Sequence, residues 1–203
     1  DIVCAIQIAG DEGIPILPRG AGTSQCGQTV GEALVVDVSK NLSSTISFDK
    51  ENRRVKVQPG VVLDQLNAYL KPYGLFFPVD VSTSSRATIG GMTANNSCGA
   101  RSIRYGNMVD NVYAIDAILA DGSKLQFGQM PKDYQVTEIP ARYREIASPL
   151  LELGQREAVE IAARFPNVQR RVGGYNIDAL VPGTGSQNLA HLLVGSEGTL
   201  AFS

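Results

Sequence analysis

The segment PILPRGAGTSQCGQ (Pro15–Gln28) limits the fold more than any other stretch of this chain. Gly20, Gly22 and Gly27 stand among small polar residues, directly after the apolar run IPIL (Ile14–Leu17). That run is bounded by glycine and proline and reads as a buried strand. A chain this loose either turns sharply or lets a ligand approach its backbone. Two more segments share the character. TIGGMTANNSCGARSIRYG (Thr88–Gly106) holds Gly90-Gly91, Asn95-Asn96, Gly99 and Tyr105-Gly106, and VGSEGTLAFS (Val194–Ser203) holds a Gly-Ser-Glu-Gly turn.

Between these clusters the pattern alternates between helix and strand. Ile2, Ala5, Ile6 and Ala9 have helical spacing, stopped by Gly10 and Gly13. ALVVDVS (Ala33–Ser39) is a second strand. TISFDKENRRVKVQPG reads as a hairpin turning at Asp49–Asn52. Val62, Leu63, Leu66, Tyr69 and Leu70 mark one helix face, ended by Pro72 and Gly74. VYAIDAILADGSKLQFG (Val112–Gly128) is a hairpin with Asp121-Gly122 at its turn. Residues 148–165 read as helix, closed by Pro166. LAHLLV reads as an apolar strand before the last glycine turn, with the start of another strand after it. Residues 83–106 show no period, and a long irregular segment in a compact domain is usually functional. Helices interleaved with hairpins indicate an α+β fold rather than a purely parallel sheet.

Composition excludes several classes. Hydrophobic residues at 43% and charged residues at 19% suffice for a core and argue against disorder. A formal net charge of −2 gives no footprint for nucleic acid. There is no apolar run of membrane-spanning length and no signal peptide, so the expected location is cytoplasmic, with a membrane-peripheral parent enzyme also compatible. Cys4, Cys26 and Cys98 are odd in number and far apart, and His191 is the one histidine. Neither a disulfide framework nor a metal site is expected, and each cysteine reads as a small half-buried residue.

The glycine loop fails the familiar phosphate motifs. No Gly-Lys-Ser/Thr tripeptide exists for a Walker loop. Gln25 occupies the place of the third Rossmann glycine, and an extended run rather than a helix follows. GxSxG is absent, and His191 lies in an apolar run and reads as structural. What remains is a loop of free N–H groups able to form an anion nest, helped by the hydroxyls of Thr23 and Ser24. Arg19 adds a positive charge, open to a ligand or paired within the protein. Three such segments together suit an extended cofactor with a diphosphate.

PRGAGTS (Pro18–Ser24), QPGVVLDQLNAYLKPYGLFFPVD (Gln58–Asp80), ATIGGMTANNSCGARSIRYGNMVDNV (Ala87–Val112), RRVGGYNIDAL (Arg170–Leu180) and GSEGTL (Gly195–Leu200) occur in one order across nearly the whole chain. In this the sequence resembles the FAD-binding domain of the vanillyl-alcohol oxidase and p-cresol methylhydroxylase superfamily. Within it the likeness is to the D-2-hydroxyacid dehydrogenases, which include D-lactate dehydrogenase, the glycolate oxidase flavin subunit and D-2-hydroxyglutarate dehydrogenase. The resemblance implies a two-lobed fold, with lobe one at about 1–77 and lobe two at about 78–203. It implies FAD, with Pro18, Arg19, Gly20, Ala21, Gly22, Thr23 and Ser24 around the pyrophosphate. Pro78, Asp80, Thr88, Ile89, Gly90 and Gly91 would run along the flavin and ribityl chain. Asn95, Gly99 and Tyr105 would continue that wall, and Glu197, Gly198, Thr199 and Leu200 would close it. Neither loop has a tethering histidine, and the family members nearest in pattern carry a small residue at the place of Cys98, so non-covalent FAD is expected.

The family's opening strand and its C-terminal substrate cap have no counterpart, so the chain resembles a flavin domain excised from a larger enzyme. The resemblance implies hydride transfer from a D-2-hydroxy acid to flavin N5, with catalytic residues outside this chain and the substrate held mainly by the cap. Asn176 and Arg171 are candidates for supporting the site. An iron–sulfur portion of the parent chain or a partner subunit is compatible with RRVGGYNIDAL. The alternatives are a flavin-binding module inactive by itself, an enzyme like UDP-N-acetylenolpyruvoylglucosamine reductase, or a structural domain whose glycines only make turns.

Overall fold

The structure is a computed structural model and describes residues 1–131, 138–183 and 187–203. Helix α1 (Ile2–Asp11) buries Ile6 and Ala9. It runs through Gly10, and the chain leaves it at Gly13, whose φ of +66° is left-handed. Strands β1 (Ile16–Arg19) and β2 (Leu34–Asp37) pair in parallel, Ile16 opposite Leu34 and Arg19 opposite Asp37. Parallel neighbours need a connection that travels back the full strand length. Residues 20–33 make that return without helix or strand, so the glycine segment is a crossover rather than a tight turn.

β3 (Thr45–Asp49) and β4 (Arg54–Val57) form an antiparallel hairpin, closed where Asn52 N donates to Asp49 Oδ1 at 3.0 Å. Helix α2 (Leu63–Leu70) follows and ends in a 3₁₀ turn, Lys71–Tyr73. The segment without a period contains two short helices, α3 (Ile89–Ala94) and α4 (Ser102–Tyr105), and α5 (Met108–Asn111) comes just after it. Helices of four to six residues are too short to print a 3.6-residue pattern. β5 (Ile115–Ile118) and β6 (Lys124–Phe127) form the second hairpin, and Phe202 pairs with Ile118 on its outer side.

Two expectations change beyond this point. The helical stretch begins earlier, as α6 (Ala141–Arg156) with Pro149 inside it, and breaks at Glu157 before α7 (Ala158–Arg164). Pro149 suggests a helix start but sits mid-helix, where it forfeits a hydrogen bond. The apolar run before the last turn is not a strand but a short helix, α8 (Ala190–Leu193). A short apolar run that is buried all round has no period to tell the two apart.

Three apolar clusters hold the chain. Ile6, Val38 and Phe202 join α1 to the parallel pair. Val61, Leu66 and Leu70 seat α2 on the first hairpin. The largest cluster includes Leu63, Val79, Met92, Met108, Phe127, Leu151, Leu180 and Val194. The fold is α+β, as its interleaved pattern indicates. Among the described residues no helix is long and apolar enough to cross a membrane.

Candidate functional site

The three glycine segments, far apart in sequence, converge on one cleft of about 290 Å³. A Cβ on Gly20 would run into the Thr88 side chain, and one on Gly198 would press on the Pro18 ring. The crossover, α3 and the last turn therefore meet at van der Waals contact because side chains are missing there.

The last turn is bolted to α3. Gly195 N donates to Thr93 O and Glu197 N donates to Ala94 O, both at 2.9 Å. From the other side, Asn176 Nδ2 donates to Val194 O at 2.8 Å and to His191 O at 3.1 Å. Arg171 Nη2 holds Asp178 Oδ2 at 2.6 Å and reaches Asn176 Oδ1 at 3.4 Å. The RRVGGYN segment thus braces the carbonyls that lead into the glycine turn, the supporting place read for Asn176 and Arg171.

The cleft's donors are divided unevenly. At the start of α3, Ile89 N donates to Val61 O and Gly90 N to Pro59 O, while Gly91 N donates to Thr88 Oγ1. The crossover is different: among the described residues, no hydrogen bond within the chain takes the amides of Gly20, Ala21, Gly22, Thr23 or Ser24. Backbone donors left without partners in the chain are open to water or to an anion. Arg19 is paired within the protein, Nη2 to Asp37 Oδ2 at 3.0 Å. Asp37 also accepts from Ser39 Oγ at 2.6 Å and Ser39 N at 2.9 Å, and these bonds, with Arg19 behind them, lower its titration to about 2.

Thirteen of the residues named from sequence line the cleft: Pro18 to Ser24, Thr88, Gly90, Gly91, Asn95, Glu197 and Gly198. Seven lie outside its lining. Asp80 accepts from Arg101 N at 2.9 Å and abuts Gly99 through its carbonyl, so the two residues dock one loop on another. Pro78 stands two positions before Asp80 in that docked loop, and Ile89 packs against the cores. Tyr105 stacks edge-on against Phe76 on another face, 5.9 Å between centroids. Thr199 Oγ1 closes the last turn on Ser196 O at 2.6 Å, and Leu200 is exposed. Sequence reasoning missed Gln28, Thr29, Val81, Ser82 and Thr83, which also line the cleft. For the last three the only signal was the polar run VSTSSR before the Gly-Gly pair.

Cys4 and Cys26 are exposed rather than half-buried, and Cys98 is partly buried. Ser97, not Cys98, faces the cleft. His191 is partly buried, its Nε2–H donating to Val112 O at 3.2 Å, and that burial lowers its titration. Among the described residues no group of side chains is placed to hold a metal ion.

These features fit a dinucleotide: amides for a diphosphate, a backbone-lined wall opposite, and a cleft that cradles rather than encloses. The comparisons agree. The family model described as "FAD binding domain" matches residues 1–128. The chain is 37% identical over 193 residues to D-2-hydroxyglutarate dehydrogenase of Pseudomonas putida, covering 93% of this chain and 19% of that protein. It is 36% identical over 140 residues to glycolate oxidase subunit GlcD of Bacillus subtilis, covering 66% of this chain and 30% of that one. In fold it matches 6-hydroxy-D-nicotine oxidase of Arthrobacter nicotinovorans, with a TM-score of 0.56 and 20% identity over 62% of this chain and 27% of the other. The chain spans about a fifth of the length of the D-2-hydroxyglutarate dehydrogenases it matches. With its three glycine segments gathered on one cleft and its first 128 residues matched, the chain belongs to the FAD-binding domain family and is related to the D-2-hydroxyacid dehydrogenases.

Proposed function

We propose that this chain is the FAD-binding portion of a flavin-dependent oxidoreductase that oxidises a D-2-hydroxy acid of the lactate, glycolate or 2-hydroxyglutarate type. The observation that carries the reading is the row from Gly20 to Ser24, whose amides have no partner in the chain, lining one cleft with Gly90, Gly91 and Gly198. Bound FAD supplies a hydride acceptor at N5 for the C2 hydrogen of the acid. The chain's own residues bind and orient. The crossover amides would hold the pyrophosphate, with β1 and β2 anchoring the two ends of the loop. The Arg19–Asp37 pair stands at its foot, so the positive charge beside the amides is already partnered within the protein.

Glu197 is the one side-chain carboxylate on the described cleft wall. His191 is committed to Val112. On this reading the base for the hydroxyl proton and the clamp for the substrate carboxylate belong to a cap of a longer parent chain. That supports a second statement: the isolated chain binds FAD without turnover. Lobe boundaries near residue 77, an opening strand and an iron–sulfur portion belong to the same proposal.

Titrating the apoprotein with FAD tests it. Flavin fluorescence should change saturably, and denaturation should release all of the yellow colour into the supernatant. Adding D-2-hydroxyglutarate, D-lactate or glycolate should leave the flavin absorbance intact. Absence of binding refutes the FAD reading, retained colour in the pellet refutes the non-covalent one, and bleaching refutes the need for a cap.

A further inference from the structure

We infer that a second groove, on the face that carries Tyr105, docks a carboxylate-rich segment of a separate protein. The inference does not rest on the FAD reading, since groove and cleft share no lining residue. The groove measures about 750 Å³ and is more open than the cleft. Its charged lining is Lys71, Arg101 and Arg104, and its apolar lining is Leu75, Phe76 and Tyr105. Three cations thus gather in one groove of a chain whose net charge is −2. Among the described residues, no carboxylate forms an ion pair with any of the three. Asp80, which touches this wall, accepts from the Arg101 amide at 2.9 Å rather than from its guanidinium. Asp64 stands two turns before Lys71 along α2 and is not paired with it. The groove is therefore a positive site whose counter-charge the chain does not supply.

Both walls are held in place. Asn67 Oδ1 accepts from Phe77 N at 2.8 Å, and the left-handed Gly74 (φ +71°) turns the chain out of the 3₁₀ turn. On the other wall, Arg104 N donates to Arg101 O at 2.9 Å, so one turn brings the two arginines to the same side. Asn111 Nδ2 anchors Tyr105 O at 2.9 Å. Arg101 lies over the Phe76 ring, 5.4 Å from its centroid, and Arg104 over the Tyr105 ring at 5.3 Å. A guanidinium on a ring keeps N–H groups for a carboxylate, which it grips with two parallel bonds. Phe76 and Tyr105 remain 47% and 38% exposed, so apolar area is left to cover. Arginine and aromatic residues carry much of the binding energy of protein interfaces. A groove this open would not enclose a small anion, and small-ligand sites bury most of their ligand. The cores of permanent interfaces are depleted of charge, so three cations around two rings fit a partner that comes and goes.

A fluorescein-labelled peptide of alternating glutamate and leucine tests the inference, with binding to the intact chain read by anisotropy. The peptide should bind saturably, more weakly as sodium chloride is raised, and its lysine–leucine counterpart should not bind. Reversing both arginines, Arg101→Glu with Arg104→Glu, should weaken binding by about tenfold. Lys71→Glu, on a separate element, should weaken it by about threefold and keeps the test open if the double variant does not fold. Arg156→Glu with Arg164→Glu changes net charge equally on α6 and α7 and should leave binding unchanged. Failure of the wild type to bind the acidic peptide overturns the inference. So does an equal loss in the Arg156 and Arg164 variant, which would reduce the effect to net charge. Phosphatidylserine vesicles that displace the peptide would make the groove a lipid site and overturn it too. Displacement by inorganic phosphate, at an ionic strength where chloride leaves the peptide bound, would do the same in favour of a small anion.

Discussion

At the scale of single residues, the cleft is shaped by what is absent from glycines. A Cβ on Gly90 would overlap both the backbone and the ring of Pro59, whereas one on Gly31 would meet nothing. Gly90→Ala should therefore lower stability by about 1–3 kcal/mol through overpacking. Gly31→Ala should leave the urea midpoint nearly unchanged. Asp37 gives a second test, in pH. Its folded titration, about 2, lies below the ordinary carboxylate value of 3.8. The ionised form is thus favoured by folding, and its contribution is present above about pH 4 and lost as pH falls toward 2. Stability curves of the wild type and Asp37→Asn should differ at neutral pH and converge in that acid window. Curves that stayed parallel to pH 2 would show that the Arg19 and Ser39 contacts carry no net stability.

At the scale of elements, the glycine turn from Gly195 to Gly198 depends on a residue that never touches the cleft. Asn176 is 3% exposed and bridges the carbonyls of Val194 and His191. Asn176→Ala should cost about 1–3 kcal/mol for stranded acceptors, and it should weaken FAD binding as the turn loosens. Loss of stability with unchanged affinity would separate bracing from binding. The elements also show what a sequence can reveal. Both hairpins were legible because a period of two and a polar turn, Asp49–Asn52 in one and Asp121-Gly122 in the other, are local signals. The short helices α3, α4 and α8 were not, because a single turn carries no period. Gly90 and Gly91 line the cleft, and their helix went unseen because a close approach marks glycine whatever the backbone around it. Tyr105 and Gly99 share a motif with the cleft residues, yet α4 carries Tyr105 to another face. Proximity along the chain could not show that rotation. Gln28 was invisible for the opposite reason: a polar residue in a polar loop announces nothing until the fold sets it on the cleft wall.

At the scale of the whole molecule, the cleft is built from segments near the beginning, middle and end of the chain, and a ligand there ties all three together. FAD at about a hundredfold excess over its dissociation constant should add about 2.7 kcal/mol of stability. For a chain of this size that corresponds to a rise in Tm of about 5–10 °C. A melt unmoved by saturating FAD would mean that the cleft binds no better when folded. The same closure has a consequence during synthesis. Phe202 completes the small core that α1 begins with Ile6. Val38, Ile16, Val36 and Leu42 cover part of α1 early, and the core closes only when Phe202 arrives. At translation rates of about 5–20 residues per second, Phe202 follows Ile6 by about 10–40 s.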